Sequence, residues 1–242
     1  MAASHIISWS HSSLSNFEKC KFLAKLKHLD RIPEPERELR PGQTEFANDR
    51  GTRIHDHAER FVDGREAKQI PEMREFAVEF DHLRHLFTKG MVSLEGEWAM
   101  DKNWEPTDWR SGWHRSKVDA IVIPDPQQAI IIDYKSGKKF GNEIKHAEQT
   151  QLYALNAVLR YPKLELVTTE LWYLDAKELT RGTFTREQVL RFKPGWNRRG
   201  VAMTTATDFP PNGNVFSCQW CMYGKKPDGT GSGHCKSGMW RK

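Results

Sequence analysis

Two apolar segments separated by four turn-forming residues constrain this chain more than any other feature. RSKVDAIVI (115–123) and QAIIIDYK (128–135) are rich in β-branched residues, and PDPQ breaks the run between them. Such a pattern reads as two strands of a hairpin. A hairpin centred on Pro126 sets Asp119 opposite Asp133, with Lys135 on the same face, because side chains alternate along a strand. A slip of one residue would move a whole strand's set to the other face. Two carboxylates facing each other across a sheet repel. Either one of them keeps its proton, or a divalent cation that favours oxygen ligands, Mg²⁺ or Mn²⁺, lies between them. A surface aspartate–lysine pair at a strand end would leave the same pattern, so spacing alone keeps both readings open.

Around this hairpin the apolar period changes. Helical spacing predicts helices over 11–29, 45–64 and 71–90, with Pro71 near the start of the third and Gly90 at its stop. VSLEGEWAM (92–100) alternates as a strand does. A long helix is expected over 142–161, a strand over 164–174, and partly helical chain over 185–207. Helices, then strands, then helix and strand predict an α/β fold with one mixed central sheet. No apolar run exceeds about four residues, too few to span a bilayer. The opening MAASHIISWSHSSLSNF lacks the charged and apolar regions of a signal peptide, so an intracellular protein is expected.

The chain has four cysteines. Cys218 and Cys221 form a C-x-x-C pair, Cys235 follows, and Cys20 lies near the other end. In a reducing compartment such a set points to a metal or a redox site before structural disulfides. Structural Zn²⁺ and a [4Fe–4S] cluster both use four thiolates. If Cys20 joins the other three, the C-terminal segment packs back on the N-terminal helix.

The net charge of +5 suits a polyanionic partner. Lys138, Lys139 and Lys145 follow Lys135 closely, and RFKPGWNRRG (191–200) sets Trp196 beside Arg198 and Arg199. Cations beside aromatics suit backbone contact and base stacking on single strands, although a solvated charged face is the commoner reason for such runs. Nothing in these segments reads base sequence.

KVDAIVI followed by DYKSGK, with thirteen residues between the two aspartates, resembles the catalytic core of the PD-(D/E)XK nuclease superfamily. More closely it resembles the RecB-like exonucleases, CRISPR-associated and phage members included. GTRIH (51–55) is similar to that family's G-x-x-x-H helix, QTQLY (149–153) to its Q-x-x-x-Y helix, and SLSNFEKC (13–20) to its N-terminal Ser/Phe/Cys stretch. The resemblance implies a restriction-endonuclease-like core, with residues 1–242 as a single nuclease domain. Within it fall a helical part (1–90), a catalytic sheet and helix (91–175) and a Cys-rich segment (208–242) joined to Cys20. It implies that Asp119, Asp133 and Lys135 are catalytic. His55, Asp119, Asp133 and the backbone carbonyl of Tyr134 would hold one or two Mg²⁺ or Mn²⁺ ions. Gln149 and Tyr153 would support the site, as would Glu97 or its face-mate Glu95. Cys20, Cys218, Cys221 and Cys235 would bind a structural [4Fe–4S] cluster, with Zn²⁺ as the alternative.

Three features depart from the family pattern. Val118 stands where the motif has proline. His57 lies two residues from His55 and would point about 200° away on a helix, so only one of them enters the site. The thirteen residues between Cys221 and Cys235 exceed the family's usual spacing. The expected function is a metal-dependent DNA exonuclease acting on single strands or strand ends in recombination, repair or DNA processing. A bacterial or phage-infected cell is a plausible setting. An endonuclease or flap nuclease on the same fold, and a catalytically weak cluster-stabilised DNA-binding module, are the alternatives.

Overall fold

The computed structural model describes residues 5–35, 38–39, 41–137, 139–227 and 229–239. They form two compact units, Leu39–Gly195 and a second made of the described residues up to Glu38 and from Trp196 onward.

The Leu39–Gly195 unit is built on a six-stranded mixed sheet. Its strands are β1 (Val92–Met100), β2 (Pro106–Thr107), β3 (His114–Asp125), β4 (Gln128–Lys135), β5 (Leu166–Tyr173) and β6 (Glu178–Thr185), in the spatial order β2-β1-β3-β4-β5-β6. Only β4 and β5 are parallel. They are joined by the helix Glu143–Arg160, a crossover that a parallel pair requires. Other helices of this unit are Ala47–Val62, Ala77–Thr88, which follows a 3₁₀ turn at Pro71–Phe76, and Arg186–Leu190. Counted with Lys193–Thr204 and the three short helices of the second unit, they are numbered in chain order below.

The expected hairpin register is present. Ala120, Ile121 and Val122 pair with Ile132, Ile131 and Ile130, and a bulge absorbs the shift before the Asp125–Gln128 turn. On one face of the sheet, Ala120, Val122, Ile132, Tyr134 and Trp172 pack against Ile54, Ala58, Phe61 and Val62 of one helix and Phe80 and Leu83 of another. The spacing i, i+4, i+7, i+8 from Ile54 is what turns that helix's apolar stripe onto the sheet. Burying a side chain such as Ile54 completely is worth roughly 1.5–3 kcal/mol.

The crossover helix is fastened to β3 by a buried polar contact. Asn156 Nδ2 donates to Ser116 Oγ at 2.9 Å and lies 3.0 Å from His114 Nε2. This fixes the position of the helix that carries Gln149 and Tyr153. β6 escaped the sequence reading because it is an exposed edge strand, ELTRGTFT, with no apolar face to mark it.

In the second unit the expected helix over 11–29 is interrupted. α1 (His11–Lys19) and α2 (Lys21–Ala24) are separated at Cys20, which is extended at φ −162°, ψ 113°, and a π-helical turn follows at Lys25–Leu29. The remaining helices are α3 (Ala47–Val62), α4 (Ala77–Thr88), α5 (Glu143–Arg160), α6 (Arg186–Leu190), α7 (Lys193–Thr204) and α8 (Val215–Cys218). The N- and C-terminal segments of this unit are tied by Tyr223 OH donating to Ile32 O (2.8 Å) and by the two-pronged pair of Arg199 with Glu18. No helix among the described residues is long and apolar enough to cross a membrane.

Candidate active site

The site forms where β3 and β4 part. Their pairing ends at Ala120–Ile132, and one step further the Asp119 carboxylate takes the place of a backbone acceptor. Its Oδ2 receives the Tyr134 amide at 2.7 Å. Its Oδ1 lies 2.9 Å from His55 Nδ1, delivered by α3. Asp119 and Asp133 are both buried.

α3 is held over this point by two contacts. Arg50 donates to Ser136 O at 2.8 Å and forms a two-pronged ion pair with Asp175. Gly51 comes so close that a Cβ there would touch Ser136 Oγ at 3.4 Å. Arg50 carries no signal in the sequence beyond its place beside GTRIH. His57 points elsewhere, its Nε2 lying 2.9 Å from Lys68 O, as the 200° separation requires.

The neighbouring strand adds a carboxylate. Leu94 pairs with Ala120 and Gly96 with Val118, so Glu95 falls opposite Asp119. Its backbone is left-handed at φ +44°, a conformation a glutamate adopts at a cost of order 1–3 kcal/mol when the surroundings demand it. Ligand atoms of His55, Glu95 and Asp119 all lie within 4.8 Å of one another. Glu97, in register with Lys117, pairs with it at 3.1 Å on the exposed surface. Of the two glutamates the sequence offered, Glu95 joins the group and Glu97 does not. The signal separating them is the left-handed residue, which interrupts strict alternation.

Asp133 stands beside that trio, in a closed ring of contacts with α5. Lys135 Nζ donates to Gln149 Oε1 (2.8 Å), Gln149 Nε2 donates to Tyr153 OH (2.5 Å), and Tyr153 OH donates to Asp133 Oδ1 (3.0 Å). Lys135 Nζ also lies 2.6 Å from Asp133 Oδ2, a buried oxygen that receives no aligned hydrogen bond. Gln149 and Tyr153 share a helix face because they are four apart, a rise of about 6 Å, close to the two-residue step of about 6.6 Å that separates Asp133 from Lys135 on a strand.

The electrostatics show excess negative charge. Burial and then Asp133 push the Asp119 carboxyl up. Burial and then Asp119 raise Glu95 to about 7. Burial pulls the His55 imidazole down, but the Asp119 hydrogen bond and the charges of Asp119, Asp133 and Glu95 outweigh it and lift His55 to about 9. The group therefore takes up protons in place of a cation. An imidazole, two carboxylates and the unmatched oxygen of Asp133 make a mainly oxygen donor set, which fits Mg²⁺ or Mn²⁺.

A pH dependence follows. In metal-free protein the folded state keeps the Glu95 proton to about 7 and the His55 proton to about 9, above their ordinary values of 4.5 and 6.5. The unfolded chain releases both earlier, so these groups lose stability as pH rises across those ranges. A divalent cation must displace the same protons. The rise in melting temperature on adding Mn²⁺ is therefore expected to grow from pH 6 to pH 9. Thermal melts at fixed Mn²⁺ across that range measure it, and a Glu95→Gln variant should show a smaller rise.

The four cysteines line one cavity in the second unit, together with Lys19, Phe22, Asn212 and Tyr223. None is in a disulfide. The break between α1 and α2 falls at Cys20, whose Sγ accepts the Asn212 amide at 3.3 Å. The long excursion between Cys221 and Cys235 closes on itself, with the Cys235 amide donating to Tyr223 O at 2.7 Å. Among the described residues, His55, Glu95 and Asp119 form the group of His, Cys, Asp or Glu side chains gathered closely enough to hold a metal ion.

The expected nucleic-acid residues divide. Trp196 is only 3% exposed, stacked on Trp9, with Arg199 over its ring and paired to Glu18. A ring so enclosed has no face for a base, so the expectation of base stacking at Trp196 is corrected, and Arg199 is engaged within the fold. Arg198 and Lys145 are exposed. Lys139 pairs with Glu178 at 2.5 Å. Lys138 lies outside the described residues.

A search of curated proteins finds no match to this sequence. Among solved structures, a protein described as SSO0001 aligns over 74% of this chain and 86% of its own at 13% identity, with a TM-score of 0.29, too weak a likeness to bear on fold or function. The family model of the PD-(D/E)XK nuclease superfamily matches residues 8–225, a span that contains the parted strands, the His55 helix, the Lys135–Asp133 ring and two of the three C-terminal cysteines. The chain belongs to the PD-(D/E)XK nuclease superfamily.

Proposed function

We propose that the protein is a metal-dependent deoxyribonuclease that works as an exonuclease on single strands or strand ends. The observation that carries the reading is the meeting of two arrangements at one strand fork: the ligand group of His55, Glu95 and Asp119, and the ring that ties Lys135 to Asp133 through Gln149 and Tyr153. His55, Glu95, Asp119 and Asp133, with the Tyr134 carbonyl implied by the family pattern, would hold the cation. Bound there, a divalent cation supplies polarisation of the phosphate and lowers the pKa of water.

The chain's own groups do the rest. Tyr153 donates to one oxygen of Asp133 and so leaves the other turned towards Lys135. Gln149 accepts from Lys135, which fixes the ammonium beside the carboxylates while it pairs with Asp133 at 2.6 Å. From there Lys135 can orient an attacking water and offset charge developing on the phosphate, the kind of preorganised stabilisation that matters most in a poorly hydrated site.

We also propose that Cys20, Cys218, Cys221 and Cys235 hold a structural [4Fe–4S] cluster. A tetrahedral zinc site with Zn–S near 2.3 Å would draw the sulfurs to about 3.8 Å. What supports the reading is that all four thiols line one cavity and none is in a disulfide; metal and sulfide analysis separates the cluster from zinc.

The test of exonuclease against endonuclease action is topological. With Mg²⁺ or Mn²⁺, the protein is expected to degrade end-labelled linear single strands and to leave a circular single strand of the same sequence intact. Linearisation of the circle at a comparable rate would establish an endonuclease instead.

A further inference from the structure

Phe140 and Ile144 are the most exposed large apolar side chains among the described residues, at 89% and 80%. They lie between Lys135 and Gln149, the two ends of the hydrogen bond that fastens β4 to α5. Phe140 is displayed by a tight turn. The Asn142 amide donates to Lys139 O at 3.0 Å, and Gly141 follows Phe140 at φ +83°, the position and conformation where a type II turn places glycine. The turn is fastened to α5 by Gly141 N donating to Glu143 Oε2 and His146 N to Asn142 O. Its root lies against the site, with Lys139 Nζ 5.7 Å from the ring centre of Tyr173, the register partner of Lys135.

An aromatic ring held outward beside a phosphodiester site has a chemical use. We propose that Phe140, backed by Ile144, is a stacking platform for one unpaired base of the strand whose phosphate enters the site. This rests on the nuclease reading above and gives its substrate class: a single strand, or a duplex end that has frayed. A paired base hides its faces in the helix, whereas an unpaired one offers a π-face to any aromatic side chain. Lys145 is exposed one residue beyond Ile144, and Lys139, paired with Glu178, precedes Phe140. The exposed lysine suits a phosphate and differs from the lysine-poor centre of a protein–protein contact.

The test is a coupling measurement. A single-stranded oligonucleotide is bound in Ca²⁺, and one base at a time is replaced by an abasic nucleotide. At one position the replacement is expected to weaken binding by wild-type protein about tenfold, the scale of one base–aromatic stack. Phe140→Ala should weaken binding of the intact strand by a similar factor and make that same abasic position neutral. Phe140→Trp should restore both. Equal losses at every position, or unchanged affinity in Phe140→Ala, overturn the stacking role. So does a loss of self-association in Phe140→Glu, read by light scattering, with strand affinity unchanged. The nuclease reading fails separately: if wild-type protein binds the strand through Phe140 yet never hydrolyses it with Mg²⁺ or Mn²⁺, the platform stands and the hydrolytic assignment falls.

Discussion

Asp119→Ala is expected to lower strand cleavage by about a hundredfold to a thousandfold, the scale seen when a group stabilising transition-state charge is removed. Asp119 is the residue on which the site converges: it accepts the Tyr134 amide, meets His55 and faces Glu95. Alanine also strands a buried amide, which costs about 1–3 kcal/mol. Asp119→Asn separates the two effects, because its side-chain oxygen still accepts the Tyr134 amide while its charge is gone. Asp119→Asn should melt near the wild-type temperature and be as inactive as the alanine variant. Release of label from a linear strand, measured beside a thermal melt, gives both quantities. Near-wild-type cleavage by either variant would remove the reaction from this fork.

Cys20→Ser is expected to cost as much as any substitution among the C-terminal cysteines, although it lies about two hundred residues away. Cys20 breaks the N-terminal helix and turns its thiol to the cavity lined by the other three. A metal group bound by all four closes a long loop and contributes its binding energy to folding. Protein purified without air should contain about four irons and four sulfides per chain if the group is a cubane cluster. In Cys20→Ser that content and the solubility should fall together, as in Cys218→Ser. One zinc and no sulfide in wild-type protein would replace the cluster with a zinc site. Unchanged metal content in Cys20→Ser would exclude the thiol from the group.

The parts of the fold legible in the sequence are those where apolar pattern and burial agree. The strands around PDPQ, the 92–100 strand and the long α5 helix were marked by periods of two and 3.6, and the register that opposes Asp119 to Asp133 followed from the turn. Of the residues with motif spacing, His55 reaches Asp119, and Gln149 and Tyr153 reach the Lys135–Asp133 pair. What the sequence hid has physical reasons. Glu95 and Glu97 are equivalent under strict alternation, and only the left-handed backbone at Glu95 separates them. Arg50 acts through Ser136 and Asp175, partners 86 and 125 residues distant. Trp196 beside Arg198 and Arg199 read as a nucleic-acid surface, but the ring is enclosed by Trp9 and Arg199, and no local pattern reports such a partner.

The central claim is that hydrolysis depends on a divalent cation held at the His55, Glu95 and Asp119 fork. The most direct measurement is the rate at which wild-type protein releases label from a linear single strand as Mn²⁺ is titrated against a chelator. The rate should rise to saturation with Mn²⁺, fall to background when the chelator is in excess, and return on readdition. Full activity in excess chelator after dialysis would contradict it.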